Sequence, residues 1–428
     1  MKIWNKGYTI DNAVEKFTVG NDRVLDLNIA RYDILASKAH ANMIKSIGII
    51  SEEERAQLIT ELDLILESVD KGEFVIEGEF EDVHSKIEYV LIQKIGNTGK
   101  KIHTGRSRND QVLVALHLYI RSQIIDFKKS TENLFARLQS LSEQHKKVLI
   151  PGYTHMQVAM PSSIGMWLGA YAELLIDDIH LLNAAYKVAD QNPLGSGAGY
   201  GSSIPLNRTQ TTAELGMETL KYNSIAAQMS RGKIEKTLSY AMASIAGTLA
   251  RLAMDVTLYM NENYGFISFP KELTTGSSIM PHKKNPDVFE LVRAKCNKIQ
   301  ALPTELSMLT TNLPSGYHRD YQLLKESLFP AIASLEECLT ITEFMLSHIE
   351  VNDSVINDPK YNMLFSVEAV NKLVNNGVPF REAYQQVGKE IEAGLFVADK
   401  NIDHTHEGSI GNLCNTQIKE KFERAMNG

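Results

Sequence analysis

The sequence has few cysteines, and their positions exclude two kinds of site. Among its 428 residues the chain has three cysteines, Cys296, Cys338 and Cys414, which lie far apart. Because the number is odd and no two are close in sequence, neither a disulfide framework nor a CxxC metal or redox site is available. A reducing compartment suits such a chain, and we predict a cytoplasmic protein.

The sequence also lacks a basic excess and long apolar runs. Lys and Arg total 44 against 52 for Asp and Glu, which gives a formal charge of -8. This balance lacks the basic excess that nonspecific nucleic-acid binding needs, so DNA and RNA are disfavoured as partners. The first residues, MKIWNKGYTIDNAVEKF, contain no apolar signal core, and no stretch approaches the roughly 18 apolar residues that span a bilayer. We therefore predict neither nucleic-acid nor membrane partners.

Proline is absent before Pro151, although the chain has 12 prolines, so little interrupts helices in the first third. Residues 106–150 contain neither Gly nor Pro, and their apolar side chains recur at helical spacing. A helix of that length reaches about 65 Å, which predicts packing in an oligomeric bundle. Other runs with few helix breakers are residues 170–192, 233–246, 248–264, 287–302 and 331–358. With no strand periodicity of comparable length, we predict an all-α fold.

The breaks between these runs predict three domains. Joints are expected near Gly105, near Asp358 and within the irregular segment 192–208. The first two divide the chain into an N-terminal helical domain (1–105), a central helix-bundle domain (106–358) and a small C-terminal helical domain (359–428).

Residues 276–287, GSSIMPHKKNPD, predict a loop that leads into a helix. Asn285 is a favourable N-cap, and Pro286 suits the first helical position. Lys283 and Lys284 then lie at the positive end of the helix dipole, which favours a bound carboxylate or phosphate. The alternative is an ordinary capped helix with solvated lysines.

Residues 103–111, HTGRSRNDQ, repeat this arrangement at the start of the longest helical run. Arg106 and Arg108 lie at this helix start, and an arginine can hold a carboxylate through two parallel hydrogen bonds. This helix start and the loop with Lys283 and Lys284 make two separate anion sites, which suit a ligand with several acidic groups. Pairing of these arginines with Asp110 or nearby glutamates on a solvated face is the alternative.

A third candidate is His155 in GYTHMQ, predicted in a turn after Pro151, where it is free to act as an acid or base. A structural hydrogen bond is the alternative, unless a carboxylate such as Glu290 pairs with it. The glycine-rich residues 192–201 complete no nucleotide-binding motif, which predicts a tight backbone crossing or a mobile loop. Residues 404–407, HTHE, have no second ligand cluster and predict a solvated loop.

Taken together, these motifs resemble a known family. GSSIMPHKKNPD resembles the characteristic loop of the fumarase/aspartase superfamily, and HTGRSRNDQ, GYTHMQ, NPLGSGA and LPSGYHRDYQLLK resemble its argininosuccinate lyase branch. The resemblance implies a three-domain subunit with a long central helix bundle, and a homotetramer whose active sites are shared between subunits. It implies no cofactor and no metal. The implied reaction is β-elimination of argininosuccinate to L-arginine and fumarate in arginine biosynthesis.

The resemblance also implies roles for individual residues. His155 matches the catalytic histidine and Glu290 its carboxylate partner, while Ser277 matches the serine of the mobile loop. Lys283 matches the lysine that stabilises the carbanion-like intermediate. Ser277 and His155 can serve as base and acid in either order, and we favour Ser277 as the base. The implied substrate-binding positions are Asp22, His84, Arg106, Arg108, Asn109, Thr154, Arg231, Asn285, Tyr317, Gln322 and Lys325.

Four positions depart from the family pattern. Asp22 replaces a serine that touches the substrate, Val158 an arginine, Gly232 an aspartate and Leu324 an acidic residue. Because the catalytic residues are intact, these departures concern the substrate more than the reaction class. The alternatives are a related lyase that releases fumarate from another succinylated amine, and a non-catalytic structural homologue. The presence of His155 together with Ser277 and Lys283 argues against the second.

Overall fold

The architecture is dominated by helices, which confirms the all-α prediction. The computed structural model describes residues 11–428. Its α-helices are α1 (Asn12–Val19), α2 (Asp22–Leu25), α3 (Leu27–Ser46), α4 (Glu52–Asp70), α5 (Val83–Ile95), α6 (Asn97–Lys100), α7 (Arg108–Gln144), α8 (Ile164–Ala189), α9 (Arg208–Glu214), α10 (Ser224–Gln228), α11 (Lys233–Tyr259), α12 (Asp287–Leu309), α13 (Leu323–Leu346), α14 (Ser366–Asn375), α15 (Phe380–Glu392) and α16 (Asn415–Met426). Short 3-10 helices are Lys101–His103, Lys271–Leu273, Arg319–Gln322, Val355–Asn357 and Pro359–Phe365.

In the part of the chain that the structure describes, six short strands form three two-stranded sheets. The strands are β1 (Leu149–Thr154), β2 (Gln157–Ser163), β3 (Gln191–Asn192), β4 (Thr219–Leu220), β5 (Ile267–Ser268) and β6 (Glu350–Val351). β1 pairs with β2 and β5 with β6 in antiparallel register, whereas β3 and β4 are parallel. Sequence periodicity did not predict these strands because most contain only two residues, too few to establish an alternating pattern.

The residues group into two compact units. Unit 1 contains residues 11–127, 181–244 and 298–335, and unit 2 contains residues 128–180, 245–297 and 336–428. A cluster in unit 1 joins Ala36 of α3 to Val114 and Leu118 of α7. In unit 2, Val370 of α14 packs with Val387 of α15. The three-domain division stays a prediction.

The apolar pattern correctly predicts the longest helix, α7, but not the residue at which this helix ends. Nine apolar side chains at helical spacing predict it, namely Val112, Leu116, Tyr119, Ile120, Ile124, Phe127, Leu134, Leu138 and Leu141. All of them but Val112 are buried. The helix ends at Gln144, however, and Pro151 lies within β1 rather than at the helix end. At 37 residues its length is about 55 Å.

Glycine and proline were poorer markers of helix ends than predicted. Gly247 lies within α11, which joins two predicted runs into one helix. Pro303 and Pro330 lie within α12 and α13. A proline inside a helix costs about 3 kcal/mol. Each buried leucine or phenylalanine contributes about 1.5–3 kcal/mol, so Leu328 and Phe329, both buried beside Pro330, offset that cost.

One helix in the described part of the chain, Lys233–Tyr259, has the length and composition of a membrane span. Half of its most apolar window is buried within the fold. Core helices of soluble proteins have the same length and composition, so this helix is weak evidence for a membrane segment.

The contact between α5 and α6 in unit 1 depends on the absence of a side chain at Gly99. A Cβ atom at this position would lie 2.5 Å from the backbone carbon of Leu91. We expect Gly99→Ala to destabilise the protein by about 1–3 kcal/mol, because rigid backbone must move to admit the methyl group. Gly388→Ala in α15, where nothing lies within 4 Å of the added atom, should instead be neutral or stabilising. Urea denaturation midpoints measure both, and equal shifts would contradict this account.

Candidate active site

One cavity in unit 1 collects most of the predicted substrate-binding residues. Its volume is about 460 Å³. Nine predicted residues line it, namely Asp22, His84, Arg106, Arg108, Asn109, Arg231, Tyr317, Gln322 and Lys325. The lining residues that sequence analysis missed are Val19, Asp26, Glu81, Asp82, His103, Ser107, Val112 and Arg319. The remaining two predicted contacts, Thr154 and Asn285, belong to unit 2.

The start of α7 forms part of this cavity and is fixed by a reciprocal cap. The backbone N–H of Ser107 donates to Asp110 Oδ1 at 2.8 Å, and the N–H of Asn109 donates to the Ser107 hydroxyl at 3.3 Å. Asp110 Oδ2 accepts from the N–H groups of Gly195 and Gly197, both at 3.0 Å. Burial raises the pKa of Asp110 to about 6. The glycine-rich segment is therefore a buried backbone crossing, the first of the two structures predicted for it.

The two arginines at this helix start have different environments. Arg108 pairs with Glu81 at 2.7 Å and with Asp82 at 3.1 Å, both of which are buried and line the cavity. Arg106 is buried and donates to the hydroxyl of Ser37 at 2.9 Å. Its Nε has no hydrogen-bond partner among the described residues. A buried donor without a partner is costly, which favours an acceptor supplied by a bound ligand.

The cavity also contains a buried triad of two carboxylates and a lysine. Lys325 Nζ lies 2.7 Å from Asp22 Oδ1 and 2.6 Å from Asp26 Oδ1. Burial raises the pKa of Asp22 to about 6; Lys325 opposes this shift and Asp26 adds to it. The same two carboxylates raise the pKa of Lys325 in spite of its burial. The ammonium group of Lys325 is therefore already paired before any ligand arrives.

Arg231 contributes a second buried ion pair, and two departures from the family pattern lie close in sequence to Arg231 and to its partner Tyr321. Its guanidinium donates to Glu235 Oε1 and to the carbonyl oxygen of Tyr321, each at 2.8 Å. Gly232 has a φ of +80°, a conformation that an aspartate would adopt only with strain. Leu324 is fully buried, where an acidic side chain would need a partner.

Gln322 and Arg319 hold the chain that leads into Asp22. Gln322 Nε2 donates to the carbonyl oxygens of Thr18 and Val19 at 3.0 Å, and Arg319 donates to Thr18 at 2.9 Å. Gln322 thus supports a cavity wall in this structure through its amide nitrogen.

Two histidines of the cavity have opposite tendencies to carry a proton. Burial disfavours protonation of His84, but Asp33 at 3.1 Å and other nearby carboxylates raise its pKa. Burial lowers the pKa of His103 to about 4, and Arg106 and Arg108 add to that shift. The carboxylates around His84 therefore favour its protonated form, whereas His103 is neutral near neutral pH.

In unit 2, His155 lies at the tip of the β1–β2 hairpin. Thr154 pairs with Gln157, which leaves His155 and Met156 as a two-residue turn with φ values of 54° and 60°. Positive φ at both positions is what a type I′ turn requires, although Gly and Asn are its usual residues. Thr154, His155 and Met156 are exposed. The ring of Tyr153 packs against aromatic residues of unit 2 and anchors the base of the turn.

The loop with Ser277 also lies in unit 2 and is mostly exposed. Its ends are joined by the backbone bond from Asn285 N–H to Thr275 at 2.8 Å. The Asn285 side chain donates to the carbonyl oxygen of Gly276 at 3.2 Å, so it ties the loop together and does not cap α12 as predicted. The carbonyl oxygen of Pro286 accepts the first helical bond, from the N–H of Glu290.

The catalytic candidates present accessible groups. Ser277 Oγ accepts from the N–H of Met280 at 3.2 Å and is half-buried. Lys283 and Glu290 are exposed. Within residues 11–428, no hydrogen bond or ion pair joins His155 to Glu290, so their pairing stays a prediction.

Comparison with known proteins identifies the family. A family model described as lyase matches residues 7–301. The chain is 54% identical to the argininosuccinate lyase of Bacteroides fragilis strain ATCC 25285 over 427 residues, covering 100% of this chain and 96% of that protein. It is 55% identical to the argininosuccinate lyase of Parabacteroides distasonis over 417 residues, with coverage of 97% and 94%. The chain belongs to the argininosuccinate lyase family. The resemblance inferred from the sequence motifs is thereby confirmed.

Solved structures confirm the fold of this family. An EDDS lyase variant with bound fumarate matches with a TM-score of 0.75 at 21% identity, covering 98% of this chain and 90% of that chain. A fumarate lyase:delta crystallin from Brucella melitensis, bound to cobalt, matches with a TM-score of 0.77 at 19% identity and coverage of 96% and 94%. At these identities the likeness establishes the fold alone.

Some residues that sequence analysis missed had a usable signal. Asp26 follows Asp22 by four residues, the spacing that places two side chains on one face of a helix. Asp110 follows Ser107 by three residues, the spacing of a capping box. Glu81 had no such signal, because its contact with Arg108 joins chain segments that are distant in sequence.

Proposed function

We propose that this protein eliminates fumarate from argininosuccinate and releases L-arginine. The observation that carries this proposal is the single cavity lined by nine of the eleven predicted substrate-binding residues. Its cationic groups suit the carboxylates of argininosuccinate, and its carboxylates suit the cationic groups. The full-length similarity to argininosuccinate lyases supports the same substrate.

The proposed chemistry uses a base, an acid and a cation. Ser277 takes the proton from the carbon beside a carboxylate of the succinate part, and the positive charge of Lys283 stabilises the carbanion that forms. The electron pair then forms the double bond of fumarate as the carbon–nitrogen bond breaks. His155, oriented by Glu290, gives a proton to the leaving guanidino nitrogen. Thr154 and Asn285 position the substrate beside these groups.

We further propose a homotetramer in which the cavity of one subunit is completed by catalytic segments of its partners. The hairpin near His155 supports an interface, since Met156, Val158 and Met160 are exposed by 62%, 41% and 41%. These three apolar side chains alternate along the chain, so those on β2 share one face. The replacement of a family arginine by Val158 increases the apolar area at this position. We also propose a cytoplasmic location and a role in arginine biosynthesis.

The decisive assay follows fumarate by ultraviolet absorbance after purified protein is mixed with argininosuccinate, with arginine measured in the same sample. Equal amounts of fumarate and arginine are the expected result. Asp22 favours the competing candidate, a lyase for another succinylated amine, because its carboxylate replaces a neutral donor. Absence of both products from a folded oligomer, with fumarate released from another succinylated amine, would establish that candidate instead.

A further inference from the structure

The triad of Asp22, Asp26 and Lys325 is an unusual place for an anionic substrate group to bind. Lys325 is 4% exposed and contacts a carboxylate oxygen of each aspartate. With both aspartates ionised the triad carries a net charge of −1. Arg231, the other cation that acts on the charge of Asp22, is paired with Glu235. The two cations that act on the Asp22 carboxylate, Lys325 and Arg231, are therefore already paired with carboxylates.

One oxygen of the triad remains open to a ligand. Asp22 Oδ1 and Asp26 Oδ1 both contact Lys325, and Asp26 Oδ2 accepts from the backbone N–H of Val83 at 3.3 Å. Asp22 Oδ2 has no hydrogen-bond partner within residues 11–428. The Asp22 side chain is 14% exposed in the cavity, against 2% for Asp26. The free acceptor at this end of the cavity is thus a single carboxylate oxygen.

The number of free oxygens indicates which cation fits. A guanidinium is planar and binds best when two oxygens of one carboxylate receive two parallel N–H groups. Asp22 offers that pair less well, because Oδ1 already holds Lys325 and only Oδ2 is fully free in the described part of the chain. An ammonium group is compact and needs only one oxygen along each N–H direction. The geometry favours an ammonium group over the guanidinium group.

We propose that Asp22 binds the α-ammonium group of the amino-acid part of the substrate, and so selects substrates that carry a free amino group there. This inference rests on the proposed function, because it places the arginine part of argininosuccinate in the cavity of unit 1. Asp26 and Lys325 position the Asp22 carboxylate. The serine that the family usually has at this position offers a neutral hydroxyl, which distinguishes an ammonium group from a neutral group less strongly.

The contact predicts a dependence of binding on pH. The pKa of Asp22 is raised to about 6 by burial, with Lys325 and Arg231 opposing the shift and Asp26 adding to it. Below that pH Asp22 is protonated and neutral, so it attracts an ammonium group weakly. As the pH rises from 5 to 7.5, binding of L-arginine should tighten, whereas binding of 5-guanidinopentanoate, which lacks the amino group, should not follow this change.

The test is calorimetric titration of the full-length oligomer with these two ligands. Asp22→Asn should weaken L-arginine binding by about 10- to 100-fold, the usual effect of losing a charged hydrogen bond. The same change should leave 5-guanidinopentanoate within about threefold of the wild type, or tighten it, because a negative charge is removed near its carboxylate. Asp70→Asn is the matched control, since Asp70 is a half-exposed partner of Arg31 on α4 and lies outside the cavity.

Each result supports or contradicts a defined part of the proposal. Equal weakening of both ligands by Asp22→Asn would mean that Asp22 contacts the guanidinium group, and unchanged binding of both would mean that it contacts neither. Failure of the wild type to bind L-arginine at all, without release of fumarate from argininosuccinate, would overturn the proposed function itself. If Asp22→Asn does not fold, the pH dependence of the affinity of the wild type for the two ligands is sufficient as a test. The same pH dependence for L-arginine and 5-guanidinopentanoate would overturn the inference.

Discussion

Replacement of Ser277 by alanine is expected to lower the rate of fumarate release by roughly 10²-fold or more, as loss of a general base does. The Ser277 hydroxyl lies in the loop between Lys271–Leu273 and α12, where it accepts N–H bonds from Ile279 and Met280. N–H groups that donate to the Ser277 oxygen favour its ionised form, which is the form that takes a proton. The change should appear in kcat, because the lost interaction forms with the reacting carbon atom.

The adjacent serine gives a matched control for this prediction. Ser278 is exposed in the same loop and has the same hydroxyl group, yet no role is assigned to it. Ser278→Ala should therefore leave the rate within a few-fold of the wild type, which separates loss of a base from disturbance of the loop. Comparable rates for Ser277→Ala and the wild type would contradict the assignment of Ser277. A comparable loss in both variants would instead mean that loop conformation controls the rate.

The fold could be predicted from the sequence wherever a long apolar pattern is not interrupted by Gly or Pro. The helix α7 follows directly from its apolar side chains, because burial of one continuous face outweighs the local preferences of single residues. Its end could not be located, since residues 145–150 contain no Gly or Pro and the last three of them are apolar, while the backbone has already changed from helix to strand. At Pro330 the sequence predicted a break where the structure has none. Burial of the neighbouring side chains stabilises α13 enough for the helix to continue through this proline.

The candidate site was predictable where a short motif fixes the local backbone. TGRSRND contains the residues that cap α7, so the placement of Arg106 and Arg108 at a helix start followed from the sequence. The hairpin that carries His155 did not, because its turn uses His155 and Met156 in place of the Asn-Gly pair that usually indicates a type I′ turn. Nor could the sequence reveal that Lys325 is paired twice, since that contact joins residues about 300 positions apart.

The second large effect is expected at Asp110, which has no predicted part in the chemistry. Its carboxylate accepts three backbone N–H groups, from Ser107, Gly195 and Gly197, in a buried position. Asp110→Ala would leave all three donors without an acceptor. At about 1–3 kcal/mol for each unsatisfied buried group, the loss of stability should reach about 3 kcal/mol or more.

Asp110→Asn is the natural comparison, because asparagine keeps the shape and one acceptor oxygen while its amide nitrogen cannot accept. It should be less destabilising than alanine. The melting temperature should therefore be highest for the wild type, lower for Asp110→Asn and lowest for Asp110→Ala. Since Asp110 joins the glycine-rich crossing to the helix start that positions Arg106 and Arg108, both variants should also raise KM for argininosuccinate more than they lower kcat. A normal melting temperature for Asp110→Ala would contradict the backbone role, and an unchanged KM would separate that role from the geometry of the cavity.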